Sequence, residues 1–307
     1  MIGFLLRRIV ALLPVALGVV CFVALMTRIV PGDPVDVILG DFATLEDKQT
    51  LRHSLGLDVP FAEQLVSYLG HIMHGELGQS LVYNRPVTAM IGERMGATFE
   101  LALAALVVAL FISLPLGIIS ALKKDTVIDW AAMAFAITGV AMPGFWLGPM
   151  LVLILSLKLD LLPVSERTNW TSYVLPAFTM GTALAAALGR MTRNTVLDTL
   201  KEDFVRTARA KGASERRVVL IHVLRNAALP LVTIVGLQFG VLLTGAIITE
   251  KIFDWPGIGS LILEGILQRD YPVVQGCVLM FSGSYLVVNL VTDIVYALVD
   301  PRIKLEG

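Results

Sequence analysis

KEDFVRTARAKGASERRVVLIHVLRNAALP, residues 201–230, is the stretch on which the reading of this chain turns. It is strongly basic and lies between hydrophobic neighbours. From Glu202 to Lys211 nothing interrupts a helix, and Phe204, Ala208 and Lys211 fall at i, i+4 and i+7 on one side. Gly212 can end that helix in the left-handed conformation. Ser214 then offers an N-cap, and Glu215 a first-turn negative charge, for a second helix over 215–226. Pro230 suits the start of the next apolar segment. The expected object is a compact knob: two short helices at an angle, joined by a small Gly-Ala turn, shaped to seat in a groove on a soluble partner. On charge alone, the same stretch would also suit a solvated basic loop.

The rest of the chain places this stretch in a membrane protein. Of 307 residues, 56% are hydrophobic and 16% charged, with a mean hydropathy of +0.79. Soluble domains are about 45–50% apolar and about 25% charged. The formal net charge of −1 gives no argument for nucleic acid. Cys21 and Cys277 each lie in an apolar stretch without a spacing motif, and read as packing residues rather than a disulfide framework or a metal site.

Six apolar segments divide the chain. The first, over 9–30, follows Arg7 and Arg8 and is longer than the ~7–15-residue core of a signal peptide. The others run over 98–122, 130–157, 174–189, 229–249 and 274–299. Pro143 and Pro149 predict a kink or a local break in the third. Residues 31–97 form a polar region with five more acidic than basic side chains, turn markers at 31–34, 58–60 and 84–86, and short helices near 45–55 and 60–74. The division is therefore a first span within 1–30, the polar region 31–97, a five-span body 98–299 containing 190–228, and a tail 300–307. Residues 250–273 read as an interfacial re-entrant element, with Trp255 and Tyr271 at headgroup depth. Gly144-x3-Gly148 and Gly236-x3-Gly240 mark faces where helices approach closely.

Charge orients this layout. Segments on the side of 190–228 hold fifteen basic residues, and the opposite loops hold eight. The positive-inside rule puts both termini and 190–228 in the cytoplasm. The nine Arg and Lys of 190–228 also rule it out as a span, since each costs about 2.5–3.5 kcal/mol at mid-bilayer.

The chain carries no signature of ATP hydrolysis. The dipeptide Gly-Lys is absent, which excludes a Walker A loop, and HExxH, GxSxG and EF-hand patterns are absent too. The chain is expected to be no enzyme and to bind no cofactor, with any ATP and Mg on separate subunits. Asp293, with Asn289 four residues earlier on the same face, is the acidic residue this segmentation leaves well inside a span. That pair is the candidate intramembrane polar site. Its plainer reading is an interhelical hydrogen bond or pairing with a basic side chain. His71 and His74 supply two ligands without a third, and read as surface or packing histidines rather than a metal site.

Residues 206–212 (RTARAKG) followed by 224–230 (LRNAALP) resemble the coupling loop of ABC-importer permeases, the "EAA" signature, in its dipeptide/oligopeptide/nickel variant. Arg206-Thr207-Ala208 stands where the general pattern has Glu-Ala-Ala, and Arg225 where many members carry the proline of a Leu-Pro pair. Both departures favour the peptide/nickel branch over sugar or amino-acid permeases. PGDP at 31–34, LGLDVP at 55–60, the runs 75–80 and 250–273 and the closing Asp300-Pro301-Arg302 resemble the same family. The resemblance therefore covers essentially the whole chain.

What the resemblance implies is an all-α integral membrane protein of the bacterial inner membrane, with six transmembrane helices in the type I ABC importer permease fold. Cytoplasmic coupling helices and a large extracytoplasmic region after the first span belong to that expectation. So does translocation of a dipeptide, oligopeptide, glutathione or nickel complex. The implied partners are a second homologous permease, two ATP-binding subunits, an external substrate-binding protein and membrane lipid. The ATPase contact would fall on Glu202, Arg206, Thr207, Ala208, Arg209, Ala210, Lys211, Gly212, Ala213, Ser214, Arg216 and Arg217. Within that set, Ala210, Gly212 and Ala213 would make a close-packing tip, and Lys211, Arg216 and Arg217 a polar rim. The alternative from another class is an ion-coupled secondary transporter without ATPases. It accounts for the hydrophobicity but not for the knob, and has no ion site beyond Asp293.

Overall fold

A computed structural model describes residues 2–29, 35, 43–54, 58–165 and 167–299. Among the described residues it is helical, with no strand beyond an isolated bridge between Gln79 and Pro86. The calls at PGDP 31–34, at the first half of LGLDVP (55–57) and at Asp300-Pro301-Arg302 lie outside the described residues.

Helix α1 (Ile2–Ile29) is followed by the short helices α2 (Leu45–Ser54) and α3 (Phe61–Met73), both where the sequence places them. Helix α4 (Val87–Leu122) begins at Val87 rather than at 98. Pro86 occupies its N-cap position, and nothing in 87–97 breaks a helix; Glu93 and Arg94 lower the hydropathy there without interrupting the backbone. The third apolar segment is two helices, α5 (Val127–Ala141) and α6 (Gly144–Leu151), the latter continuing as a π-helix over Val152–Lys158. The two halves meet at 98°. Met142 is extended, as the residue before a proline prefers, and Pro143 has no N–H to carry a helix through.

Helix α7 (Val174–Leu200) runs well past 189, because residues 190–200 contain no breaker and Arg193 finds a buried partner. Helix α8 (Asp203–Ala210) and the single turn α9 (Glu215–Arg217) follow. The predicted stop near Asn226 is absent. A π-helix over Val218–Val223 leads straight into α10 (Leu224–Gly245), with a 50° bend near Pro230. The chain closes with α11 (Ile247–Ile252), α12 (Ile258–Leu267) and α13 (Tyr271–Val299).

Among the described residues, three helices are long and apolar enough to cross a bilayer, or five if each bent pair counts as one crossing. The body is organised on α4 against α7. Ala97, Leu101, Ala105 and Ala109 recur every fourth residue and face Ala177, Leu184, Ala185 and Leu188. The backbones approach so closely that a Cβ at Gly117 would stand 2.6 Å from the Gly189 carbonyl oxygen. The stripe at Gly236 and Gly240 packs on Thr292 and Tyr285 of α13.

The segment 250–273 has the expected turn, short helix and helical start around Pro272, and Trp255 and Tyr271 are interior. Trp255 is 1% exposed and donates its indole N–H to the Ala97 carbonyl at 2.9 Å, and Tyr271 is 8% exposed. Both are enclosed by the chain itself, because the early start of α4 supplies a wall on which the α11–α12 hairpin packs.

Candidate functional site

The knob is built from its foundation outward. Val205 and Ala208 of α8 are buried with Val218, Val223 and Ala227, against Ala121 of α4 and Val196 of α7. Ile118, Leu197 and Leu200 pack around them, so the knob sits on the adjacent ends of the two central helices. The buried face of α8 is thus Val205 and Ala208. Phe204 and Lys211 are exposed.

Helix α8 ends in a six-to-one turn. The Gly212 N–H donates to the Arg209 carbonyl at 2.9 Å, and the Ala213 N–H to the Ala208 carbonyl at 3.2 Å. Gly212 has φ +81°, the left-handed residue this motif requires, and Ala213 and Ala208 make its apolar contact. Ser214 occupies the N-cap position of α9 without a side-chain cap. Its Glu215 neighbour reaches back instead, accepting from Arg209 Nε at 2.8 Å and Nη2 at 3.1 Å, which clamps the two sides of the turn.

Of the residues singled out from the sequence, Glu202, Arg206, Thr207, Arg209, Ala210, Lys211, Gly212, Ser214, Arg216 and Arg217 lie together on the exposed surface of the knob. Ala208 does not; it belongs to the foundation, and Ala213 is half-buried beneath the tip. Thr207 Oγ1 donates to the Asp203 carbonyl, within its own helix. Exposed Phe204, Leu220 and Ile221 add apolar surface to this otherwise cationic knob.

Asn289 and Asp293 have different surroundings. Asp293 lies 3.2 Å from Arg8 of α1, while the Asn289 side-chain oxygen is buried without a hydrogen-bond partner among the described residues. His71 and His74 are both exposed, and His74 Nδ1 lies 2.8 Å from the Gly70 carbonyl oxygen. No group of three His, Cys, Asp or Glu able to hold a metal occurs among the described residues.

Among the described residues the deeply buried carboxylates are Asp129, Glu250 and Asp270, the last accepting from Ser80 Oγ and from the Leu81 and Val82 N–H groups. Arg193 of α7 forks Asp129 of α5 at 2.7 and 2.6 Å, and Ser120 of α4 donates to the same carboxylate. This pair ties three helices together just above the knob. Glu250, 0% exposed, accepts from Thr98 Oγ1 at 2.7 Å and from the Ser260 N–H at 2.8 Å, pinning the α11–α12 hairpin to α4. In the sequence reading Asp129 falls in the connection before the third apolar segment and Glu250 at the start of the re-entrant element, so no periodicity marked them as interior.

Residues 113–305 match the family described as "Binding-protein-dependent transport system inner membrane component", and residues 1–102 match "Binding-prot-dependent transport system membrane comp, N-term". The chain belongs to this binding-protein-dependent transport family. Among relatives of the family, the glutathione transport system permease protein GsiC of Salmonella choleraesuis (strain SC-B67) is 41% identical over 304 residues, covering 99% of each chain. The protein of the same name from Escherichia coli (strain K12) is 40% identical over the same length and coverage.

Two solved structures are similar in fold. The inward-facing MetNI methionine ABC transporter aligns with a TM-score of 0.55 at 14% identity, covering 69% of this chain and 96% of that one. An amino acid ABC transporter with histidines aligns at 0.50 and 14%, covering 70% and 94%. At such identity the likeness speaks for the fold alone.

The chain is a multi-pass inner-membrane permease of a binding-protein-dependent ABC importer. The family implies a substrate-binding protein and ATPase subunits that carry the ATP. Membership sets aside the ion-coupled carrier, and the peptide/nickel-type resemblance is borne out across the whole chain.

Proposed function

We propose that this permease translocates a small peptide or related solute, of the dipeptide, oligopeptide, glutathione or nickel-complex kind. In this reading it pairs with a second homologous permease and is driven by two ATP-binding subunits. The observation that carries the coupling is the exposed cationic knob, turned on Gly212 and seated on the ends of α4 and α7. The solute class is supported by full-length relatives named for glutathione transport.

The proposed topology has six spans, with both termini and 190–228 in the cytoplasm and 31–97 outside. The division 1–30, 31–97, 98–299 and 300–307 goes with it. ATPase contact falls on the exposed knob residues, Arg206, Lys211, Gly212, Arg216 and Arg217 foremost. Small side chains at the tip let it enter a groove, and the cations meet acidic groups at the rim. Because Val205 and Ala208 are locked into the foundation, displacement of the knob moves α4 and α7 with it. Those helices then switch the path between its two openings.

Gentle detergent purification of the tagged chain, with mass spectrometry of co-purifying proteins, tests this. Recovery of a second permease and Walker-containing ATPases, together with vanadate-sensitive glutathione uptake, is expected. A chain that purifies alone and transports under an ion gradient would overturn it.

A further inference from the structure

At the N-terminal end of α4, a cavity of about 410 Å³ opens beside the α11–α12 hairpin. Its lining is charged in both senses: Arg94, Arg167 and Lys251 with Glu93, Asp254 and Glu264, next to Trp255. Four of these six are already engaged. Arg94 forks Glu264 at 3.2 Å to each oxygen, Arg167 is held by Glu100 and Tyr173, and Glu93 pairs with Arg85. Lys251 and Asp254 are exposed, and neither has an ionic partner among the described residues. They flank the turn that follows α11, where Asp254 is held in a left-handed backbone conformation at φ 48°.

One uncommitted cation and one uncommitted anion, in a cavity whose other charges cancel in pairs, complement the two termini of a zwitterion. The ammonium group suits Asp254 and the carboxylate Lys251, each as a charge-assisted hydrogen bond. The volume falls within the range of small-molecule pockets, about 300–1,000 Å³. Its position adds an independent argument. The knob packs on Ile118 and Ala121 at the far end of α4, and the cavity is lined by Glu93 and Arg94. At 1.5 Å per residue, Arg94 and Ala121 stand about 40 Å apart along the helix. The cavity therefore lies at the end of the body away from the knob, where a solute would arrive if the knob faces the ATPases.

We propose that this cavity is where the permease receives a peptide-like zwitterion, with Asp254 taking its ammonium group and Lys251 its carboxylate. The inference rests on the importer reading above. Side chains of a docking protein would also meet such charges, but a concave site with balanced charge favours a small solute.

The test is uptake of radiolabelled glutathione by the complete importer in proteoliposomes, at saturating binding protein. Lys251→Gln and Asp254→Asn are each expected to lower maximal uptake about tenfold, the scale of one lost charged hydrogen bond. Lys251→Arg should retain at least about half of the wild-type rate, because it keeps the charge. The half-saturating concentration of binding protein should not move. Unchanged uptake in both charge-removing variants would overturn the inference. So would a loss that a higher binding-protein concentration restores, since that assigns the residues to protein docking. Both of these results leave the importer reading intact. A wild-type importer that moves neither glutathione nor a dipeptide would instead remove that reading, and this inference with it.

Discussion

At Gly212, backbone and surface make separate demands. Its φ of +81° disfavours any side chain, yet a Cβ there would meet nothing within 4 Å. Gly212→Ala should therefore cost about 1–2 kcal/mol of local strain without a clash. Gly212→Asp adds bulk and negative charge to the tip of a cationic knob. It is expected to reach the membrane in normal amounts while uptake falls about tenfold or more, as for the loss of an interface anchor. Normal uptake by correctly inserted protein would refute the coupling role. By contrast, the Arg209–Glu215 clamp is exposed at 43% and 67% of its side chains. Glu215→Gln should shift stability by only about 0–1 kcal/mol, read by thermal unfolding. In the polar region, His53 Nδ1 lies 2.6 Å from Asp58. The hydrogen bond and the charge of Asp58 raise the His53 pKa, while the hydrogen bond from His53 lowers that of Asp58. The pair contributes fully below the ordinary histidine pKa and is lost as pH rises through the raised one; at the acid end it is lost as pH falls through the lowered Asp58 value. An NMR titration should place His53 above about 6.5, and Asp58→Asn should bring it back.

At the scale of elements, the Asp129–Arg193 fork joins α4, α5 and α7 at the root of the knob, with side-chain exposures of 6% and 18%. Asp129→Asn leaves a guanidinium without its counter-charge and should destabilise the protein by about 3 kcal/mol. Asp129→Leu combined with Arg193→Met should recover part of that loss in the same thermal assay. This interaction was not legible in the sequence, because its partners are 64 residues apart. What was legible is local: the Gly212 turn, the break before Pro143 and the two short helices after α1 are each set by nearby backbone chemistry. Which face of α8 is buried was not legible for a related reason. Phe204, Val205, Ala208 and Ala210 allow two apolar registers on so short a helix, and the foundation formed by α4 and α7 decides between them. Trp255 shows the same limit. An aromatic beside Pro-Gly signals a turn, but its burial depends on a helix start at Val87 that hydropathy conceals.

For the whole molecule, the proposed topology predicts opposite sidedness for two exposed positions. With Cys21 and Cys277 replaced, His74→Cys should react with an impermeant thiol reagent from outside intact cells. Lys211→Cys should react only in inverted vesicles. Labelling of both from one side would reject the six-span layout. The family assignment was legible at this scale because short motifs recur from one end of the chain to the other, whereas the number of crossings was not. The 98° bend at Met142–Pro143 makes an apolar segment of spanning length into two helices that need not share one crossing. The burial of Trp255 has a practical consequence. Of the four tryptophans, Trp130, Trp146 and Trp170 are 72%, 49% and 79% exposed, and Trp255 is 1% exposed. Replacing those three with phenylalanine would leave a single indole, hydrogen-bonded to the α4 backbone and lining the charged cavity. Its emission would be an optical gauge, needing no attached dye, of whether the hairpin stays docked through each transport cycle.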